Sequence, residues 1–124
     1  MIFEVIKINK PLMDSINYNA ILFLIRAEDV LDYDRAQDLD LFTRTLVQGG
    51  ARKVLVDMSG VEFVDSLGLG VLIELAKLIR SHRGDIALYN VTQPVEQVMK
   101  PLNFNRFMKI FSTGEEYMNF FRSI

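Results

Sequence analysis

The chain has 124 residues, enough for one packed domain and too few for two. Half of the residues are hydrophobic and 24% are charged, a globular balance rather than a disordered one. Fourteen basic and 16 acidic residues leave a formal net charge of -2, which gives no bias towards nucleic acid or an anionic membrane, and the absence of cysteine excludes disulfides, thiol catalysis and thiolate metal sites.

At the amino terminus, Glu4 and Lys7 interrupt the apolar start and argue against a secretory signal. The longest apolar run, Ala20 to Ile25, is six residues, far below the roughly 20 of a membrane-spanning helix. These features predict a soluble, cytoplasmic chain. Residues 2–8 (IFEVIKI) partly alternate and read as a half-buried strand. Residues 9–19 are rich in Asn, Asp, Ser and Pro and read as a loop. Residues 20–26 (AILFLIR) are continuously apolar, as in a strand buried on both faces. The two strands are close enough in sequence to pair antiparallel.

From residue 34 to 48 the period becomes 3.6, with Leu39, Phe42, Leu46 and Val47 on one face and Gly49-Gly50 as a stop. Residues 53–57 (KVLVD) form a buried strand. Residues 66–82 give the clearest helix, with Leu72, Leu75, Ala76 and Ile79 as its core stripe. Residues 85–91 form a strand. Thr92 then reads as a helix cap, with Pro94 in the first turn and Pro101 ending the helix near Lys100. Residues 107–112 form a last strand, and residues 115–124 a terminal helix with Tyr117, Phe120 and Phe121 turned inward.

The order β-β-α-β-α-β-α-β-α predicts an α/β domain spanning residues 1–124, a mixed, mostly parallel sheet of about five strands with four helices. Such sheets carry their sites at the carboxyl ends of the strands. The junction Asp65-Ser66 falls there, where residues 61–64 turn into the long helix. It is not a nucleophile elbow, because position 64 is Val rather than Gly. The lone histidine, His82, is 16 residues along the same helix, roughly 24 Å away at 1.5 Å per residue, so no Ser-His pair forms. Gly68-Leu69-Gly70 opens like a dinucleotide fingerprint, but position 73 is Ile and the glycines lie inside the helix pattern. No ligand cluster for a metal occurs. The sequence therefore predicts no catalytic residue, no cofactor and no metal site.

Two readings of Ser66 remain on residue types alone. Ser and Asp both serve as helix N-caps, so the junction is a cap. Alternatively Ser66 is modified: a phosphate at a helix start meets unpaired N–H groups and adds about 1.5 to 2 negative charges that a partner must accommodate. Gly68 and Gly70 similarly read as sites of close helix–sheet packing.

The stretch from Val54 to Leu72, with Asp65-Ser66-Leu67-Gly68-Leu69-Gly70 at its centre, resembles the signature of STAS domains, specifically bacterial anti-sigma factor antagonists. Leu31-Asp32 through Leu39, Gly84 through Val95 and Leu102 through Phe107 are similar to flanking segments of that family, so the resemblance covers nearly the whole chain. It implies a mixed sheet with one antiparallel edge strand. It also implies that Ser66 is the residue phosphorylated by an anti-sigma factor that is itself a serine kinase of the ATP-binding, histidine-kinase-like fold. A PP2C-type phosphatase then restores the hydroxyl. Asp32 matches a family aspartate near the phosphorylated serine, and Asp65 is the motif's own. Leu67 and Val71, beside Ser66, would be contact surface, with Gly68 in the same environment; packing against the sheet is the competing reading of both apolar residues. The chain departs from the family at Glu28-Asp29-Val30, at Leu67 and at Arg35. The expected state is a monomer or weak dimer, and the charge balance predicts no direct nucleic-acid or membrane contact. The alternative is a STAS module used as a constitutive scaffold, with Ser66 only a cap.

Overall fold

The computed structural model describes residues 4–7, 22–113, 115, 116 and 119. Strand β1 (Glu4–Lys7) is followed by β2 (Leu22–Leu31), α1 (Tyr33–Gln48), β3 (Lys53–Val64), α2 (Ser66–Ser81), β4 (Asp85–Tyr89) and α3 (Gln93–Met99). Two short 3-10 turns, Lys100–Leu102 and Phe104–Arg106, lead into β5 (Lys109–Phe111). The fold is α/β, as expected. The strands lie in sequence order, β1-β2-β3-β4-β5, with β1 antiparallel to β2 and the other pairs parallel.

That order has a consequence for the helices. Right-handed crossovers that step the same way each time put every connecting helix on one face of the sheet. The buried cluster agrees. Ile25, Val54, Val56, Met58, Ile86 and Leu88 from the sheet meet Ala36, Leu39 and Val47 of α1, Leu72, Leu75, Ala76 and Ile79 of α2, and Val95 and Met99 of α3. The α2 stripe is the one its periodicity predicts. On α1 the fully buried positions are Ala36, Leu39, Thr43 and Val47, while Phe42 and Leu46 sit at the margin. The α1 helix closes at Gly50, where a φ of 112° suits glycine and lets the Ala51 N–H reach back to the Leu46 carbonyl at 2.9 Å.

Several expectations change. β2 is longer than residues 20–26 and is not covered equally on both faces: Phe23, Ile25 and Ala27 are buried, whereas Leu24 is half-buried and Arg26 exposed. The helices shelter one face, so the strand alternates. β3 runs for 12 residues instead of ending at residue 57. Its register against β2 shifts twice, between Arg26 and Glu28 and between Asp29 and Val30, so β3 carries extra residues. Burial then recurs at Met58, Val61 and Val64, every third residue, a pattern that no period-two reading recovers. Asp29, beside the shift, takes a φ of 66°.

β4 ends at Tyr89 and β5 has three residues, because Phe107 and Met108 belong to the preceding turn rather than to the strand. Thr92 stands at the N-cap position of α3, but its side chain does not cap. Its hydroxyl donates instead to the Val61 carbonyl at 2.7 Å and ties α3 to β3. The described residues include three α-helices. Most of the expected fourth, with Tyr117, Phe120 and Phe121, lies outside them. Among the described residues, no helix is long and apolar enough to cross a membrane.

Thr92→Val keeps the shape but removes the donor to a buried-strand carbonyl. It is expected to lower unfolding free energy by about 1–3 kcal/mol, read from urea denaturation with an unchanged slope.

Candidate functional site

Leu31 and Val64 are register partners at the carboxyl ends of β2 and β3. Each is followed by one aspartate and then by a helix, so the two strands enter α1 and α2 side by side by the same device. Asp32 takes an extended conformation, and the Arg35 N–H donates to its Oδ1 at 3.0 Å. Asp65 is likewise extended, and the Gly68 N–H donates to its Oδ1 at 2.6 Å. Each carboxylate fills a donor left unpaired at a helix start and sits at the positive end of the helix dipole.

Gly68 holds the two caps together. A Cβ built there would lie 2.5 Å from the Leu31 carbonyl oxygen, 3.1 Å from the Asp32 carbonyl carbon and 3.1 Å from Asp65 Oδ1. The backbone of α2 thus packs directly on the β2–α1 junction, and no larger residue fits. Gly70 differs: a Cβ there meets nothing within 4 Å. Close packing explains the first glycine and not the second.

Ser66 is the first residue of α2 and is exposed. It is not the cap. Asp65 has that role, and the Ser66 hydroxyl makes no hydrogen bond among the described residues. The reason is positional. Asp65 is the last non-helical residue, the only place from which a side chain can turn back to the N–H three residues on.

The remaining expected residues separate. Asp32, Asp65 and Gly68 converge on one point. Leu67 is 65% exposed, which leaves it without a packing role. Val71 is half-buried and packs on the core, so its contribution is structural first. Two residues that the sequence did not single out also stand at the junction: Tyr33, 45% exposed at the start of α1, and Phe63, 52% exposed three residues before Ser66. The signal for both was the pairing of Leu31 with Val64, which becomes visible only once register is known.

Charge at the junction is acidic. Arg35 Nη1 lies 2.9 Å from Asp32 Oδ2 in a half-exposed ion pair. His82 closes the far end of α2 as its C-cap. Among the described residues no group of three or more His, Cys, Asp and Glu is placed to hold a metal. A half-open cavity of about 570 Å³, lined by Asn90, Met99, Phe104, Ile110 and Phe111 among others, lies at the carboxyl ends of β4 and β5 and includes none of the junction residues.

Comparison with known proteins places this geometry in context. A family model described as STAS domain matches residues 11–117. A candidate anti-sigma factor antagonist of Thermotoga maritima is 38% identical over 69 residues, 56% of this chain and 61% of that protein. The aligned part therefore spans about three fifths of that relative's length. A solved structure of a candidate anti-sigma factor antagonist from Thermotoga maritima is 28% identical, with a TM-score of 0.73 over 82% of this chain and 87% of its own. The anti-sigma factor antagonist SpoIIAA in its unphosphorylated form covers 99% of this chain and 98% of its own at a TM-score of 0.72. At 19% identity that likeness shows the shared fold alone.

The two glycines give a paired test. Gly68→Ala forces a methyl group onto backbone and is expected to cost about 1–3 kcal/mol of stability. Gly70→Ala adds a methyl in open space on a helix and is expected to gain about 0.5–1 kcal/mol. Urea midpoints of the two variants should move in opposite directions.

Proposed function

The chain belongs to the STAS domain family, and on that premise we propose that it is an anti-sigma factor antagonist switched by phosphorylation of Ser66. Residues 1–124 act as one STAS domain without catalytic residues or a cofactor of its own. In its unmodified state the domain binds, in the cytoplasm, an anti-sigma factor that is also a serine kinase of the ATP-binding, histidine-kinase-like fold, and this binding frees the sigma factor. The kinase transfers the γ-phosphoryl group of ATP to Ser66 Oγ, releasing ADP and the hydroxyl proton. A PP2C-type phosphatase hydrolyses the ester to restore the hydroxyl and inorganic phosphate.

The observation that carries this reading is the division of roles at the junction. Asp65 caps α2, and Ser66 beside it is exposed, its hydroxyl making no hydrogen bond among the described residues. A phosphate on it costs the helix no cap and meets N–H groups at the helix start. The fold is kept while the surface gains about 1.5 to 2 negative charges beside Asp65 and Asp32. A partner that covers Leu67, Tyr33 and Phe63 would have to bury that charge, which is costly unless a basic group receives it. Val71 and Gly68 support the surface from behind. SpoIIAA, which shares the fold, has been solved in an unphosphorylated and a phosphorylated form. That precedent supports a modification compatible with this architecture.

The test uses wild type, Ser66→Ala and Ser66→Asp as baits in native lysate, with mass spectrometry of captured partners and of Ser66. Ser66→Ala is expected to retain the kinase partner. Ser66→Asp should weaken it at least tenfold, about 1.4 kcal/mol. Equal retention of the two variants, or an unmodified Ser66 under all conditions, would sink the reading in favour of a constitutive scaffold.

A further inference from the structure

The junction holds an unusual imbalance of charge. Residues 28–38 and 58–71, which make up the ends of β2 and β3 and the first turns of α1 and α2, contain five and two carboxylates respectively, seven in all, while Asp57, earlier on β3, is paired with Arg26 at 3.8 Å. They contain one cation, Arg35. A phosphate on Ser66 would stand next to Asp65, the cap of its own helix, and the start of α1, which carries Asp32 and Asp34, packs on that helix at Gly68. Every one of these carboxylates repels it. Arg35 alone among these residues attracts it.

Arg35 is placed to respond. Its guanidinium is held at Asp32. A Cβ built at Gly68, two residues beyond Ser66, would lie 3.1 Å from the Asp32 carbonyl carbon, so the backbone at the start of α1 packs on the first turn of α2, where the Asp65 cap also sits. The two oxygens of Asp32 have separate tasks. Oδ1 accepts the capping bond from the Arg35 N–H, and Oδ2 takes the guanidinium. The side-chain ion pair can therefore break without uncapping α1. It is also half-exposed, with Arg35 45% and Asp32 30% accessible, and such pairs hold weakly. A phosphate dianion offers a guanidinium two parallel hydrogen bonds and roughly twice the charge of a carboxylate.

We propose that phosphorylation of Ser66 transfers Arg35 from Asp32 Oδ2 to the phosphate, so that the modified residue clamps the start of α1 to the start of α2. The inference rests on Ser66 being the phosphorylated residue. The clamp changes what a partner meets. It bares one oxygen of Asp32, moves the Arg35 side chain and neutralises part of the new charge. The switch then reads out on two helices rather than on one side chain. No covalent step beyond the phosphorylation itself is involved.

The test removes the kinase from the question. Phosphoserine is installed at position 66 during synthesis, and the phosphate is titrated by phosphorus NMR in the full chain. Free phosphoserine loses its second proton near pH 6. A clamping Arg35 favours the dianion, so the wild-type phosphate should titrate roughly 0.5 to 1 pH unit lower than in Arg35→Gln. Arg35→Lys, which keeps the charge but loses the fork, should fall between them. Asp32→Asn removes both the competitor and a repelling charge and should lower the value further. Arg35 is at the surface, so Arg35→Gln is expected to leave the unmodified fold intact, checked by its circular dichroism. Identical titration of wild type and Arg35→Gln would overturn the clamp. That result is distinct from failure of the phosphorylation reading, which would show as an unmodified Ser66 in cells.

Discussion

The structure of the junction follows from one steric fact: the Leu31 carbonyl occupies the space where a side chain at position 68 would be. With glycine there, α2 rests on the backbone of the β2–α1 turn. The ends of two parallel strands, paired at Leu31 and Val64, then deliver two helix starts to one spot. Two carboxylates cap them in the same way, each through Oδ1 and each to the N–H three residues on. Any larger residue at 68 would push the helix away from the turn and strain the arrangement.

From that contact comes a division of roles at the start of α2. A serine in a capping role is a poor switch, because modifying it would unmake the helix start it supports. Placing the cap one residue earlier, on Asp65, leaves Ser66 as the first helical residue, exposed and without a capping role. Asp32 repeats the economy at the level of single atoms. One oxygen accepts the capping N–H, and the other holds the Arg35 guanidinium. Leu67, Tyr33 and Phe63 sit around this spot as exposed apolar groups that the core does not use.

The sheet explains how β3 reaches the junction. β3 runs seven residues past Asp57, and its register against β2 slips twice along that extension. The slips convert alternating burial into burial at every third residue and carry Phe63 to the surface. Thr92, bonded to the Val61 carbonyl in the same stretch, anchors the extension from the side of α3. Residues 58–64, beyond the expected end of the strand at residue 57, are thereby a hydrogen-bonded arm.

The sequence alone determined the alternation of strands and helices, and with it the parallel sheet. Those signals are local: apolar runs for buried strands, a 3.6-residue stripe at Leu72, Leu75, Ala76 and Ile79, and glycine or proline at the stops. It also located Asp65-Ser66 at the end of a strand, and the resemblance of the surrounding residues pointed to the family. Tertiary structure decided the rest. The length of β3 depended on bulges against β2, Thr92 found its acceptor 31 residues away, and Tyr33 joined the site through strand register. Ser and Asp both cap helices, so only backbone conformation could show which of the neighbours at 65 and 66 does so. Residue type states what a side chain is able to do. Which donor it reaches depends on where the chain turns, and that is settled by packing between segments distant in sequence.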